Sequence, residues 1–162
     1  MSTAPEPLPH APIGMVLGLL EHLREAPGGR EDLYRLGEPL GYELDDILPV
    51  TQAAKQLGLV TIASGDIELT ADGRALAAAE EPERKRWVGA RLLSLPLIAE
   101  IARALETAEQ GRARRRTFLK QLSQHFSKGE AERQLQTALD WARYGEVFDF
   151  DPDAEEFVRA GG

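Results

Sequence analysis

The sequence predicts an α+β, mainly helical fold: two tandem units, each of three helices and a β-hairpin, packed as one body. Three observations carry this. Apolar residues recur at helical spacing over most of the chain, and the period changes to alternation at just two places, residues 59–69 and 147–158. Stop signals at Pro27-Gly28-Gly29, Gly41, Gly58 and Gly145 cut the helical stretches where the pattern lapses. With 162 residues, folding buries roughly 70% of the surface the unfolded chain exposes, so a self-sufficient core is within reach.

The elements follow in order. Residues 1–12 hold four prolines and read as a flexible, extended leader. The first unit spans 13–80. Met15, Val16, Leu19, Leu20 and Leu23 mark its first helix, and Leu33, Leu36 and Leu40 mark a short second helix over Arg30 to Leu40. Asp45 or Asp46 can cap a third, whose Ile47, Val50, Ala54 and Leu57 face inward, with Pro49 in its first turn. A Ser64-Gly65-Asp66 turn then joins two strands, and Thr70 can cap a helix beginning at Ala71. A connecting helix is expected over 81–95, with Trp87, Gly89 and Leu92 or Leu93 suited to packing.

The second unit, 96–160, repeats the order: a helix from Pro96 to Ala108, one from Thr117 to Phe126, a third from Glu130 to Tyr144 capped by Ser127, and a hairpin turning at Asp151-Pro152-Asp153. Three helices followed by a hairpin, the third helix running directly into the first strand, is a winged-helix-like order. Its recurrence makes the halves look like degenerate copies of one unit.

The segments GREDLYRLGEPLGYELDDILPV, AAKQLGLV, GDIELTADGRAL and AERQLQTALDWARYGEVFDFD together resemble the AAA-associated C-terminal domain family, over roughly residues 13 to 158. Members follow the ATP-binding cassette in ATPase subunits of nitrate, sulfonate and bicarbonate-type ABC importers, and some occur without it. The resemblance implies an accessory or regulatory domain whose partner is another protein, an ABC importer ATPase or its complex. The sequence has no GxxxxGK[ST] loop to cradle phosphates, so ATP hydrolysis does not carry over from the cassette.

Charge locates the candidate surfaces. Residues 1–80 hold 5 basic and 13 acidic side chains, 81–128 hold 11 and 5, and 129–162 hold 3 and 9, a basic waist between acidic ends. Both third helices, the DNA readers of a winged helix, are net acidic. Gln134 and Gln136 have the chemistry to read a base edge, but the second hairpin beside them carries Glu146, Asp149, Asp151, Asp153, Glu155 and Glu156. Nucleic acid is therefore not an expected partner. The candidate partner-binding residues are Asp45 and Asp46 on the acidic side and Arg112, Arg114, Arg115 and Arg116 on the basic side. The arginines either meet phosphates or an acidic partner, or form a solvated loop paired with the chain's own carboxylates. Arg84, Lys85 and Arg86 read as a wet helix face.

Catalytic chemistry finds no foothold. There is no cysteine, no HExxH, no GxSxG elbow, and the Asp149, Asp151, Asp153 series lacks the glycine and glutamate of a calcium loop, with Ala154 and Ala160 in their places. No catalytic residue, metal or cofactor is expected. The N-terminal MSTAPEPLPHAP lacks the basic and apolar regions of a secretory signal, and no run approaches membrane-spanning length, so the expected compartment is the cytoplasm. The leading expectation is a noncatalytic regulatory or protein-interaction module; the alternative is a transcriptional regulator holding DNA through the basic middle segment.

Overall fold

The computed structural model describes residues 6–161. It is α+β and mainly helical, as the sequence predicts, and its short strands form two three-stranded antiparallel sheets. The described residues divide into two compact units, Pro9–Arg84, and Lys85 onward together with Glu6, Pro7 and Leu8.

In the first unit, α1 (Ile13–Glu25) buries Val16, Leu19, Leu20 and Leu23 completely, the spacing of one helical face. Gly28 and Gly29, both at φ 67°, then turn the chain into β1 (Arg30–Asp32). Here the structure corrects the expected second helix over Arg30 to Leu40. Its first three residues are an edge strand paired with β3 (Asp66–Leu69), Arg30 opposite Glu68. A 3-10 turn at Leu33–Arg35 follows, its start held by the Asp32 carboxylate accepting from the Tyr34 N–H, and only Gly37–Leu40 (α2) is α-helical. Leu33 and Leu36 are buried all the same.

In α3 (Leu44–Gln56), Ile47, Val50, Ala53 and Ala54 face the core. Pro49 lies inside this helix and not in its first turn, so it cannot donate to the carbonyl of Asp45. Strand β2 (Val60–Ala63) pairs with β3 through a two-residue turn at Ser64 and Gly65, both at positive φ, which matches the twist of a tight hairpin. Thr70 caps α4 (Ala71–Ala78), its hydroxyl accepting from the Gly73 N–H. Arg84, expected on a wet face, is 9% exposed: Nε and Nη2 donate to the carbonyls of Leu76 and Ala77 near the end of α4, the first of which also accepts from the Ala79 N–H, and Nη1 reaches Glu21.

The unit boundary falls within α5 (Glu81–Leu92). In the second unit, α6 (Pro96–Thr107) buries Leu97, Ile98, Ile101 and Leu105. The expected loop at Arg112 to Arg114 is instead a strand, β4, and α7 (Arg115–Leu122) starts directly after it. Ser127 caps α8 (Lys128–Tyr144), accepting from the Glu130 N–H. Strands β5 (Phe148–Asp151) and β6 (Glu156–Arg159) form the hairpin, and β4 pairs with β6, giving the order β4-β6-β5, the counterpart of β1-β3-β2 in the first unit. Phe157 sits edge-on to Phe118, Phe148 and Phe150 at 5.2–5.7 Å between centroids, and Trp141 is fully buried.

Gly145 does not end α8 through a left-handed conformation; Glu146, at φ 58°, takes that role. The glycine serves close packing: a Cβ there would lie 2.8 Å from the Cα of Gly89 on α5. Within the leader, expected as flexible, two apolar side chains are buried, while Glu6, Pro7 and Pro12 are exposed. Leu8 and Ala11 are each 3% exposed, and the buried Gln134 side chain accepts from the Leu8 N–H at 2.8 Å and donates to its carbonyl at 3.0 Å. Residues 1–5 of that leader lie outside the described residues.

Candidate functional site

The first candidate surface is the segment from the 3-10 turn at Leu33–Arg35 into the first turn of α3. Asp45 and Asp46 are exposed there. Neither caps the helix: the N-cap position is Glu43, and no side-chain cap bond is made. The two carboxylates instead face the partial positive charge of the α3 N-terminus. Glu38 and Glu43 are also exposed, and so are two large apolar side chains of the same segment, Tyr34 at 69% and Leu44 at 45%. The segment is closed by the Tyr42 N–H donating to the Gly37 carbonyl, and a Cβ on Gly37 would come within 2.5 Å of the Tyr42 oxygen. Only glycine allows this turn.

The second candidate is the arginine run, and the structure divides it. Arg112, on β4, donates Nε to Glu156 at 2.8 Å and Nη2 to Asp151. These partners, Glu156 first, raise the guanidinium pKa above its ordinary value. Arg114, Arg115 and Arg116 stay together around a concavity of about 380 Å³ shared with Leu119, Glu155 and Glu156. Arg114 and Arg116 are exposed, while the Arg115 N–H donates to the Glu155 carbonyl.

The acidic hairpin proves partly neutralised. Asp151 accepts from the N–H groups of Asp153 and Ala154, so it shapes the turn between β5 and β6. Its carboxyl is held below the usual carboxylate range, chiefly by the Ala154 N–H and then by Arg112. Asp149 is likewise lowered, first by the Phe150 N–H and then by Arg143, whose Nε lies 2.8 Å away. Gln134, one of the two candidate base readers, is 2% exposed and committed to Leu8.

A third feature escaped sequence reading: a groove of about 650 Å³ between α5 and α6. Its floor is small (Gly89, Ala90, Ala99, Ala102), and Arg86, Arg103 and Arg159 line it with the half-exposed Leu93. The exposed leucine on a helix otherwise read for packing was its one sequence signal. Among the described residues no group of three metal-ligating side chains comes together, and no helix is long and apolar enough to cross a membrane.

Together these define a mainly helical α+β protein of two units with the same sheet order, carrying exposed charged surfaces. The chain belongs to the family described as the C-terminal AAA-associated domain, whose model matches residues 34–151. That family is an accessory domain, not a catalytic one. No curated protein and no solved structure matches the chain.

Proposed function

We propose that this chain is a noncatalytic regulatory or protein-interaction module that acts in the cytoplasm on an ABC importer ATPase or its complex. Membership in an AAA-associated family supports the association. Each unit's order of helix, strand, helix, helix, strand, strand, with the first strand beside the third, supports reading both as winged-helix-like. The observation that carries the docking role is the exposure of Asp45 and Asp46 next to the exposed Leu44 at the start of α3. Carboxylates at the rim steer a basic partner, and the apolar centre holds it.

The test replaces Asp45 and Asp46 with Asn and measures association with the importer ATPase by surface plasmon resonance. Melting stays close to wild type, because each first-turn carboxylate contributes about 0.3–1 kcal/mol to its helix. Association at low salt slows and its salt dependence flattens, since rim charges act on the on-rate. Equal rates for both proteins overturn the acidic docking face. Loss of binding in an Arg114→Gln, Arg115→Gln, Arg116→Gln variant, with the Asn pair unaffected, moves the interface to the basic concavity.

A further inference from the structure

We propose that the groove between α5 and α6 receives the acidic α2–α3 surface of a second copy of this chain, giving a head-to-tail association. The large apolar side chains exposed among the described residues are Tyr34, Leu44 and Leu93. Two belong to the acidic surface and the third to the groove. Each surface thus carries exposed apolar bulk, and their prevailing charges are opposite in sign: Glu38, Glu43, Asp45 and Asp46 on one, Arg86, Arg103 and Arg159 on the other.

The groove is built to be filled. The absence of side-chain bulk at Gly89, Ala90, Ala99 and Ala102 creates its volume of about 650 Å³. Gly89 is kept small by the backbone of Gly145 against it. Arg159 is fixed in place, its Nε donating to the Leu105 carbonyl at 3.1 Å and Nη2 to that of Glu106 at 3.0 Å, so its charge is presented without further ordering. Glu106 and Glu146 also line the groove, which limits the electrostatic gain and favours an occupant whose acids meet the arginines in one register.

Because the two surfaces differ, the contact is heterologous: an open assembly leaves one acidic surface and one groove unused at its two ends, and it grows or closes into a ring. An occupant anchored by one tyrosine and one leucine covers less than the roughly 800 Å² per partner of a stable interface, so the association is weak and concentration-dependent. The inference does not need the importer reading, since it involves this chain alone. Where both hold, the second copy and the ATPase compete for Asp45 and Asp46.

Sedimentation velocity of the full chain over a concentration series tests it. The wild type self-associates at about 0.01 M salt, where charges act over roughly 30 Å, and association falls by on the order of tenfold or more at about 1 M, where they act over roughly 3 Å. An Asp45→Lys, Asp46→Lys variant and an Arg86→Glu, Arg103→Glu variant are each monomeric. Mixed, they associate again, because one retains the arginine groove, the other retains the acidic surface, and the reversed charges of the two variants are complementary as well. All four substituted side chains are exposed, and circular dichroism confirms that each variant folds; an Arg86→Gln, Arg103→Gln pair serves if the reversed charges do not. A wild type that stays monomeric at every concentration overturns the proposal. So do variants that associate like the wild type, or a mixture that stays monomeric.

Discussion

Replacing Gln134 with Ala tests the most consequential buried polar contact in the second unit. The side chain is 2% exposed and makes two hydrogen bonds to one residue, the N–H and the carbonyl of Leu8, itself 3% exposed. If the segment stayed in place after the substitution, two buried backbone groups would lose their partners, at about 1–3 kcal/mol each. If it peeled away, Leu8 would lose its burial, worth about 1.5–3 kcal/mol, while the freed residues would regain about 1–2 kcal/mol of backbone entropy apiece. Detachment costs less. The expected outcome is therefore a folded protein whose N-terminal segment is released, with a net loss of about 1–3 kcal/mol, or about 2–4 °C of Tm for each kcal/mol in a chain of this size. Hydrogen exchange reads it: the Leu8 amide is protected in the wild type and exchanges freely in Gln134→Ala. A chain starting at Pro9, with and without the substitution, completes a double-mutant cycle, and most of the cost vanishes in the shortened background. Equal protection of Leu8 in both full-length proteins, or strict additivity in the cycle, refutes the reasoning.

Gly145→Ala destabilises by about 1–3 kcal/mol, because its Cβ meets the backbone of Gly89 and no flexible side chain can yield. Gly18→Ala, in α1 with open space around its Cβ, stabilises by about 0.5–1 kcal/mol; urea unfolding of both variants checks the contrast. Asp149 and Asp151 titrate below the ordinary carboxylate value, so the stability they contribute is complete above the unfolded pKa near about 4 and is lost as pH falls through their folded values. Arg112→Gln raises the Asp151 midpoint without restoring the ordinary value, because the Ala154 N–H remains; carboxyl-carbon NMR titration follows it.

Legibility in the sequence tracked locality. The Thr70 and Ser127 caps, the buried faces of α1 and α3 and both hairpins rest on neighbours a few residues apart, and all were readable. Strands β1 and β4 were not. Arg-Glu-Asp and Arg-Ala-Arg carry no apolar alternation, and each becomes a strand only because β3 or β6, distant in sequence, offers an unpaired edge. The same distance hid the fates of individual side chains. Gln134 looks like a reader on a helix face until Leu8, 126 positions away, meets it. Arg112 belongs to a basic run by composition and to an ion-paired sheet by register. Asp45 and Asp46 were legible as charge, but their freedom from capping depends on where α3 begins.

The two units also indicate which surfaces are left for recognition. In each, a glycine at positive φ precedes the first strand, Gly29 and Gly111, and an arginine covers it: Arg74 from α4, donating to the Gly28 carbonyl, and Arg159 from β6, donating to the carbonyls at the end of α6. The covering residue comes from different places in the two units, so the device answers a need of the topology: a tight turn with open carbonyls and no side chain of its own. The leading arginine of the first strand is likewise used internally, Arg30 against Asp66 and Glu68, Arg112 against Asp151 and Glu156. Both sheets thus compensate much of their own charge. What differs between the units is the start of the third helix, where α3 presents Asp45 and Asp46 uncapped and α8 begins at Lys128 behind a serine cap. Since a shared architecture does not by itself assign function, the difference between those helix ends is where selectivity for a partner is to be sought.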